Sequence, residues 1–505
     1  MQRSLDNLTA GRFDVLVIGG GITGACLAYD LALRGLEVAL IERGDFGGAT
    51  SSASSKLLHG GIRYLQQLRV DRVRESARER QHFLRLAPHL ITPVPFLVPT
   101  YARLGQGRAA LRAAFAAYRL ITAGLGDGTP GGYLRPLPQS RQEVAAAAPP
   151  LARDTRITGG FRFSEAHMVS SERMTLAFVK AAAQRGTVVA NYVEAVSVIV
   201  EQGAVRGVIA RDTVEGSTFR IDARVVANAG GPWIPLLNAT VPGAPPSAIR
   251  GYSKGVHIVT RPLIPDVAVA LPTRRRAAAV ITRGGRHVFV IPWRGHSLIG
   301  TSDAPFHGPL DAVHPTAEDV DALVQDVQSA MPDAGLTPSD VRHAFAGLYP
   351  LRSVAEAGVY KGTGDYHIVD HGRKGGPEGL VTVLGAKYTT ARRVAEYAGN
   401  LIARQLRSNA PCRTTTLPLP GGDIGSWETF VQSVRARHGQ RVDDDRLMYL
   451  ARHYGTEIDS LLVPDADCTP LAADREPIAA EVTFAVTREM AVRLDDVVFR
   501  RTGLG

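Results

Sequence analysis

The sequence predicts an α/β protein built on a Rossmann-type unit, with an interleaved β-rich region and a helical C-terminal region. Three observations predict this fold class: a strand, glycine turn, helix and strand at residues 14–42, short β runs through the middle of the chain, and helical patterning after residue 422. At 505 residues, the chain is long enough for two or three domains with full cores.

The first element, residues 14–42, has the form of a dinucleotide-binding βαβ unit, with an amphipathic helix between its strands. Gly19 allows the tight turn, Gly21 lets the main chain approach a pyrophosphate, and Gly24 lets the helix pack closely on the strand. The helix N-terminus offers N–H groups to phosphates, and Glu42 can accept hydrogen bonds from a ribose diol. A glycine turn alone also serves plain packing, but the flanking elements and the spaced acid favour a dinucleotide site.

Composition narrows the function classes. Hydrophobic residues make up 45% of the chain and charged residues 21%, as in ordinary folded proteins. Cys26, Cys412 and Cys468 lie far apart without metal-ligand spacing, so we expect no disulfide scaffold and no metal site. The N-terminus lacks the apolar segment of a signal peptide and no long apolar run occurs, so we expect neither export nor a membrane span.

The formal net charge of +10 and the isoelectric point near 9.7 raise the question of nucleic acid binding. No aromatic-rich basic motif and no helix-turn-helix pattern accompanies the charge, so we expect no nucleic acid partner. An anionic substrate, an anionic membrane surface or an arginine-rich composition explains the charge equally well.

After the βαβ unit, residues 44–61 form a Gly/Ser-rich loop suited to lining a cofactor, and residues 63–87 are predicted to be helical. Pro93, Pro95 and Pro99 are expected to end that helix.

The next segment, residues 101–125, carries four arginines and no acidic residue. Its apolar residues stand at roughly helical spacing: Leu104, Leu111, Phe115 and Tyr118. The pattern fits an interfacial helix at a bilayer edge and a core-facing helix with a solvated basic side equally well.

The rest of the chain alternates β and helical patterns. Residues 186–229 contain short β runs that end in a glycine turn, which indicates a return to the dinucleotide site. The later predictions are, in order, strands within 250–305 including residues 278–282, a helix at 317–331, a strand, tight turn and helix at 379–405, a linker at 410–422, and a helical region at 423–505 ending in one long helix, 481–502.

The segment TSSASSKLLHGGIRYL, residues 50–65, is more specific than the glycine turn. It resembles the signature of FAD-dependent glycerol-3-phosphate dehydrogenases, T-S-S-x-S-[ST]-K-L-x-H-G-G-x-R-Y-L. The resemblance extends over essentially the whole chain, through residues 228–233, 253–259, 291–293, 299–303, 385–390 and 495–502.

The resemblance implies FAD rather than NAD, bound in an extended pose with its pyrophosphate at Gly19 to Gly24. It implies flavin contacts from Ser51, Ser52, Ser55, Lys56, Leu57, Gly231, Gly385, Lys387, Tyr388 and Thr389. We divide the chain accordingly into an FAD-binding domain (1–95, 151–249 and 365–406), a substrate and membrane-facing domain (96–150 and 250–364) and a helical domain (423–505).

The chemistry implied by the resemblance is hydride transfer from the secondary carbinol of sn-glycerol 3-phosphate to the flavin, giving dihydroxyacetone phosphate. Electrons then pass to a membrane quinone, or to oxygen in the oxidase branch. The reaction needs a base, a cation for the phosphate and a dry flavin face. We predict His59 as the base with His257 second, and the cations Lys56, Arg63, Lys254 and Lys387. We expect a cytoplasmic protein, free or peripheral on the inner membrane face, with its oligomeric state open.

Two departures from the family pattern concern the substrate. Tyr349 stands where the family commonly has the arginine of G-x-R-P-L, and Gly364 stands where it has an arginine before an Asp. The acidic D-D-A-R segment is replaced by residues 170–173, SSER. Three alternatives therefore stay open: another polyol phosphate or hydroxy compound, an FAD amine oxidase, and a flavin-binding module without catalysis.

Overall fold

A computed structural model describes residues 1–102, 107–125, 135–272, 287–351, 366–385 and 387–505, apart from the side chains of Arg63, Gln66 and Gln67. Within these residues the strands are β1 Arg12–Ile18, β2 Val38–Ile41, β3 Leu57–Leu58, β4 Ile91–Tyr101, β5 Leu137–Gln139, β6 Ile157–Met168, β7 Val188–Ala190, β8 Val193–Glu201, β9 Ala204–Asp212, β10 Thr218–Asn228, β11 Gly251–Thr260, β12 Ala268–Pro272, β13 His287–Trp293, β14 His296–Gly300, β15 Ala304–Phe306, β16 Val341–Leu351, β17 His367–Asp370 and β18 Leu380–Leu384.

The α-helices of the same residues are α1 Leu5–Ala10, α2 Ile22–Leu33, α3 Val70–Leu86, α4 Arg108–Thr122, α5 Arg141–Ala147, α6 Ser171–Ala183, α7 Ile234–Asn238, α8 Ala317–Ala330, α9 Ala391–Gln405, α10 Trp427–His438, α11 Asp444–Tyr454, α12 Ile458–Leu461, α13 Ala479–Arg488 and α14 Leu494–Asp496. In the described part of the chain, no helix combines the length and apolar character needed to cross a membrane.

The first sheet contains the predicted βαβ unit. β1 lies between β10 and β2, and the three strands run parallel. The strand order is β17-β18-β10-β1-β2-β7, and β8 and β9 extend the sheet from β10 as an antiparallel meander. α2 is buried along most of its length, so it is apolar on every side and the prediction of an amphipathic helix was wrong.

The second sheet is mostly antiparallel, with the order β15-β11-β14-β13-β12-β4-β6-β3. β16 pairs with β11, and β5 pairs with β6. α8 covers one face through Leu323, Val324 and Val327, which confirms the predicted helix at 317–331. The β run predicted at 278–282 lies outside the described residues.

The prolines after α3 do not end that helix, so this expectation was wrong. α3 ends at Leu86, and Pro93, Pro95 and Pro99 lie inside β4. Their spacing directs the missing N–H groups toward one edge of the strand. Pairing with β6 on the other edge is continuous, whereas pairing with β12 is confined to Phe96 and Leu97, between two of the prolines.

The helical stretch predicted at 63–87 is also interrupted. Ile62–Gln67 form a 3₁₀ helix, and α3 begins only at Val70. Leu68, predicted as a residue of this helix, has a φ of +55° and is 87% exposed. The break therefore places an apolar side chain on the surface.

The C-terminal region is helical, as predicted, but its last helix is not continuous. α13 ends at Arg488, Met490 has a φ of +57°, and α14 begins at Leu494. The break lets Glu489 turn inward and lets Asp496 accept hydrogen bonds from two main-chain N–H groups. The buried side chains of Glu489 and Asp496 thus determine where the last helix breaks.

The domain boundaries drawn from the sequence stay a prediction.

Candidate functional site

The glycine turn lies at the carboxyl ends of β10, β1 and β2. Gly19 has a φ of +102°, and a Cβ there would be 2.7 Å from the carbonyl oxygen of Ala229. A Cβ on Gly24 would be 1.9 Å from the carbonyl oxygen of Gly19. Gly21 precedes α2 with ordinary φ and ψ angles, and only the Ser51 hydroxyl lies near its α-carbon. The turn is therefore closed on its strand side and open at Gly21.

Glu42 holds this turn from the end of β2. One carboxylate oxygen accepts the N–H of Gly20 at 2.7 Å, and the other accepts the N–H of Gly44 at 2.9 Å. Burial raises the pKa of Glu42, and these two hydrogen bonds oppose the rise. Each carboxylate oxygen keeps the capacity for a further hydrogen bond, which a ribose hydroxyl could supply.

The serine-rich segment packs against the same turn. The hydroxyl of Ser51 accepts the N–H of Ile22 at 2.9 Å and so caps α2 from a distant part of the chain. Ser52 donates to the carbonyl oxygen of Ala49, and Ser55 pairs with His257 at 2.9 Å. The segment therefore positions the phosphate turn and also reaches the second sheet.

Lys56 acts behind the cleft and does not line it. Its ammonium donates to the carbonyl oxygen of Ser52 at 2.7 Å, the hydroxyl of Ser171 at 2.9 Å and the carboxylate of Glu172 at 2.5 Å. Burial lowers the pKa of Lys56, and Glu172 opposes that change. Leu57 follows in β3, paired with His167 of β6. The predicted flavin contacts Lys56 and Leu57 thus fix the segment in place.

The turn between β18 and α9 approaches from the opposite side. A Cβ on Gly385 would be 2.4 Å from the Thr23 hydroxyl of α2. The ammonium of Lys387 lies 3.6 Å from the ring centre of Tyr64. The hydroxyl of Tyr388 donates to the carbonyl oxygen of Ser171 at 2.6 Å. Ser171, the first residue of α6, therefore contacts both Lys56 and Tyr388.

These segments enclose a cleft of about 350 Å³. It adjoins a more open cavity of about 590 Å³, which shares Glu42, Arg43 and Trp233 with it. The predicted residues that line the cleft are Gly19, Gly21, Glu42, Ser51, Gly231, Gly385, Lys387 and Tyr388. Those that do not line it are Gly24, Ser52, Ser55, Lys56, Leu57, Thr389, His59, His257 and Lys254.

His257, the second candidate base, does not line the cleft. It is buried on β11, its Nε2 atom pairs with Ser55, and its ring stacks on Phe345 at a centroid distance of 5.2 Å. Its Nδ1 atom has no hydrogen-bond partner among the described residues. Burial, with Lys56 adding to the effect, lowers the pKa of His257 to about 3, so its imidazole is neutral at physiological pH.

The other predicted catalytic residues are placed less centrally. His59 is half-buried beside Gly60, whose carbonyl oxygen accepts the Tyr118 hydroxyl. The Lys254 ammonium donates to Asp319 at 2.5 Å and so points away from the cleft. The side chain of Arg63 lies outside the described atoms.

Of the departures from the family pattern, Tyr349 is the one that the described residues place in the cleft. Tyr349 and Pro350 of β16 line the cleft together with Lys387. Gly364 lies outside the described residues. In the SSER segment, Glu172 pairs with Lys56 and Arg173 pairs with Glu489. Glu172 and Arg173 are therefore both held by ion pairs within the protein.

Arg43 and Trp233, two further residues that line the cleft, make a contact that was not predicted from the sequence. The Arg43 guanidinium lies 4.3 Å from the ring centre of Trp233, and both side chains bond to Asp311. Arg43 follows Glu42 directly and Trp233 ends a family segment, so their positions in the sequence could have indicated that both lie near the site. Asp311 comes from a loop that no motif marked.

The cleft fits an extended dinucleotide. Its floor is a glycine turn at a helix N-terminus, which favours a pyrophosphate. Gly231 has a φ of +54° and open space where a Cβ would project, so the main chain can approach a flat ring. Lys387, which also lines the cleft, supplies positive charge.

Comparison with known proteins agrees with this geometry. The family of FAD dependent oxidoreductases matches residues 14–401, and the C-terminal domain of alpha-glycerophosphate oxidase matches residues 412–505. The glycerol-3-phosphate dehydrogenase of Synechocystis sp. is 31% identical over 100% of this chain and 91% of its own, and that of Mycobacterium leprae is 34% identical over 97% and 80%.

Among solved structures, the glycerol-3-phosphate dehydrogenase from Bacillus halodurans complexed with FAD matches with a TM-score of 0.77 and 28% identity, over 98% of this chain and 87% of that one. The predicted cofactor, FAD, and the predicted fold are thereby confirmed. The chain belongs to the FAD-dependent oxidoreductases and, within them, to the glycerol-3-phosphate dehydrogenase family.

Proposed function

We propose that the protein oxidises the secondary alcohol of sn-glycerol 3-phosphate to dihydroxyacetone phosphate, with FAD as the hydride acceptor. The observation that carries the proposal is the match over the entire chain to relatives named glycerol-3-phosphate dehydrogenase. The cleft supports it, because a dinucleotide turn, Lys387 and Tyr349 all line it.

FAD, when bound, supplies the hydride acceptor, and the chain supplies binding, orientation and proton transfer. We propose that Lys387 contributes charge toward the substrate phosphate, since among the predicted cations whose side chains the structure describes it is the one that lines the cleft. Arg63 and Lys254 stay predictions for the same role, and the contact with Asp319 makes Lys254 the weaker of the two.

We propose His59 or His257 as the base that takes the hydroxyl proton. Burial keeps the imidazole of His257 neutral, but a pKa of about 3 also makes it a weaker base than an ordinary imidazole. Its contact with Ser55 fixes the ring, and the Nδ1 atom is free of hydrogen bonds from the described residues. His59 has the advantage of lying in the most specific family segment.

The decisive experiment is anaerobic mixing of the purified yellow protein with candidate substrates while the visible absorbance of oxidised flavin is followed. We expect bleaching with sn-glycerol 3-phosphate and none with glycine or sarcosine. Bleaching by glycine alone would assign the protein to the amine oxidases. Bleaching by neither, but by a different polyol phosphate, would keep the chemistry and replace the substrate.

For the electron acceptor we propose a membrane quinone. Several relatives are named aerobic glycerol-3-phosphate dehydrogenase, which supports a respiratory acceptor over direct oxidation by oxygen. We expect a water-soluble quinone to reoxidise the bleached protein much faster than dissolved oxygen does. Stoichiometric hydrogen peroxide formation in air would instead indicate an oxidase.

We also propose peripheral contact with an anionic membrane at the inner face of the cytoplasmic membrane, through α4. Phe115 and Tyr118, two of the apolar residues that motivated an interfacial helix, are buried in the core. The exposed face instead presents Arg112, Arg119 and Leu120, the last being 78% exposed. The 3₁₀ helix that ends beside the exposed Leu68 contacts α4. Apolar tips beside arginines suit an anionic interface.

Vesicle sedimentation tests this contact. We expect binding to anionic vesicles to fall when Arg108, Arg112 and Arg119 are replaced together by glutamine, since each cation contributes about 1 kcal/mol near an anionic surface and salt screens it. The matched control replaces three exposed arginines elsewhere, Arg153, Arg220 and Arg373. Equal loss in both triple variants would show a general charge effect and remove α4 from the proposal.

A further inference from the structure

The loop that joins β2 to the serine-rich segment, residues 43–50, forms one wall of the cleft, and we call it the cofactor loop. It rests on the glycine turn: the N–H of Gly47 donates to the carbonyl oxygen of Gly20 at 3.0 Å, and Phe46 is buried against Gly20. A displacement of this loop would therefore disturb the pyrophosphate turn directly.

The C-terminal end of the chain holds the cofactor loop through Asp45. The two terminal nitrogens of Arg501 donate to the Asp45 carboxylate at 2.7 and 2.9 Å, and Arg500 Nε donates at 2.6 Å. Asn191 adds a hydrogen bond at 3.0 Å. Burial alone would raise the pKa of Asp45, but Arg501 and Arg500 hold it below its ordinary value. Asp45 is therefore a buried, ionised and paired carboxylate.

Arg501 is itself anchored to the rest of the molecule. It is 1% exposed and donates to the carbonyl oxygen of Glu489 at 3.0 Å. The Glu489 carboxylate in turn binds Arg173 at 2.8 Å and Lys180 at 3.0 Å, both on α6. Because α6 begins at the residue that contacts Lys56 and Tyr388, the C-terminal helices are connected to the serine-rich segment and to the turn after β18.

We propose that Arg501 is a positioning residue, through which the C-terminal domain holds the cofactor loop in the conformation that binds FAD. The proposal rests on the cleft being the FAD site, as proposed above. Without Arg501, Asp45 would be a poorly compensated buried charge, so conformations that bring it to water become favourable. The apparent affinity for FAD falls by the factor by which the binding-competent population falls.

The test compares Arg501→Gln with wild type in FAD affinity, measured by flavin fluorescence on titrating the apoprotein. We expect the dissociation constant to rise roughly tenfold, while kcat and KM at saturating FAD stay within about twofold, because no substrate contact is changed. In the apoprotein, trypsin should cleave after Arg43 faster in the variant than in wild type. An unchanged dissociation constant would overturn the proposal.

Lys180→Gln is the matched control, because it removes a buried ion pair between α6 and the C-terminal domain without touching Asp45. We expect it to lower the melting temperature and leave the FAD dissociation constant within about twofold. An equal loss of affinity in both variants would show general destabilisation and overturn the positioning role. Should Arg501→Gln not fold, Asp45→Asn makes the same test from the other partner.

A failure of the underlying site assignment is distinguishable from a failure of this proposal. If Gly21→Leu binds FAD like wild type, the cleft is not the FAD site. If Gly21→Leu loses FAD but Arg501→Gln keeps it, the cleft assignment stands and the positioning role does not.

Discussion

The cofactor end of the cleft is built around a glycine turn in one continuous part of the chain, whereas the end that we propose for the substrate combines residues from distant segments. The glycine turn, Glu42 and Ser51 all come from residues 19–51. At the proposed substrate end we place Tyr349 of β16 and Lys387 after β18, with His257 of β11 outside the lining of the cleft. A site formed by main-chain groups requires particular residues in a row and so leaves a motif in the sequence. A site formed by side chains can bind a different ligand after a single substitution.

FAD binding should be lost when a side chain at Gly21 prevents the pyrophosphate from approaching the main chain. The ordinary backbone angles of Gly21 and the single nearby Ser51 hydroxyl mean that Gly21→Leu should fold. Its side chain would fill the space that the pyrophosphate needs, so we expect FAD affinity to fall on the order of 100-fold or more. The ratio of visible to protein absorbance after purification, and titration of the apoprotein with FAD, measure this loss.

Gly425→Leu serves as the control, because this glycine has open space around its α-carbon and lies far along the chain from the turn. It should purify yellow. If the wild type purified colourless and could not be reconstituted with FAD, the cofactor assignment would be contradicted whatever the two variants showed.

The contrast also explains how much of the fold could be predicted. The periodicity of β1 and β2 and the glycines between them predict the first sheet correctly, because local backbone requirements dictate those residues. The strand β4 was not predicted, because its prolines are usually unfavourable in a strand. They are tolerated here because their missing N–H groups face the edge opposite the one that pairs with β6. Likewise, the break after α13 depends on Glu489 meeting Arg173, a pairing between residues far apart in sequence.

For the site, sequence motifs identified the residues near the cleft but not what each one does. Lys56 and Lys254 both lie in family segments, yet one pairs with Glu172 and the other with Asp319. Glu172 lies in the SSER segment, but nothing in that segment marks it as the partner of Lys56, and no family segment contains Asp319. The role of Ser171 in joining the two flavin-facing segments is equally invisible, because it depends on where α6 begins relative to them.

Acid should lower the free energy of unfolding through His257 at pH values where Asp45 is still ionised. The pKa of His257 is lowered to about 3 by burial and by Lys56, so its contribution to stability is present above the unfolded value of 6.5 and is lost as pH falls below it. The expected loss is about 1.4 kcal/mol for each pH unit below 6.5, with an upper bound of about 5 kcal/mol. Arg501 and Arg500 hold the pKa of Asp45 below its ordinary value, so Asp45 stays charged between pH 6.5 and 5.

His257→Asn checks this expectation, since asparagine does not titrate. Between pH 6.5 and 5, the variant should lose about 2 kcal/mol less unfolding free energy than wild type, by denaturant titration at each pH. His314→Asn, at an exposed histidine, is the control and should follow wild type. Identical pH slopes for wild type and His257→Asn would contradict a buried neutral imidazole.

The smallest expected effect tests whether the substrate end has changed its ligand. Tyr349→Arg restores the family's arginine, and it places a cation in the cleft beside Lys387. A charge-assisted contact with phosphate favours binding by up to a few kcal/mol, but repulsion from Lys387 and the unadapted pocket reduce the gain, so we expect at most about a tenfold rise in kcat/KM for sn-glycerol 3-phosphate.

Glycerol, which lacks the phosphate, supplies the control, and its kcat/KM should not rise in Tyr349→Arg. Adding Gly364→Arg should increase the preference for the phosphate substrate further if that position faces the same ligand. A wild type already as efficient with sn-glycerol 3-phosphate as with any other alcohol, and a Tyr349→Arg variant that is no better, would show that Lys387 and its neighbours compensate for the lost guanidinium. Both ends of the cleft would then bind the ligands typical of the family, and the presence of Tyr349 in place of arginine would not change the substrate.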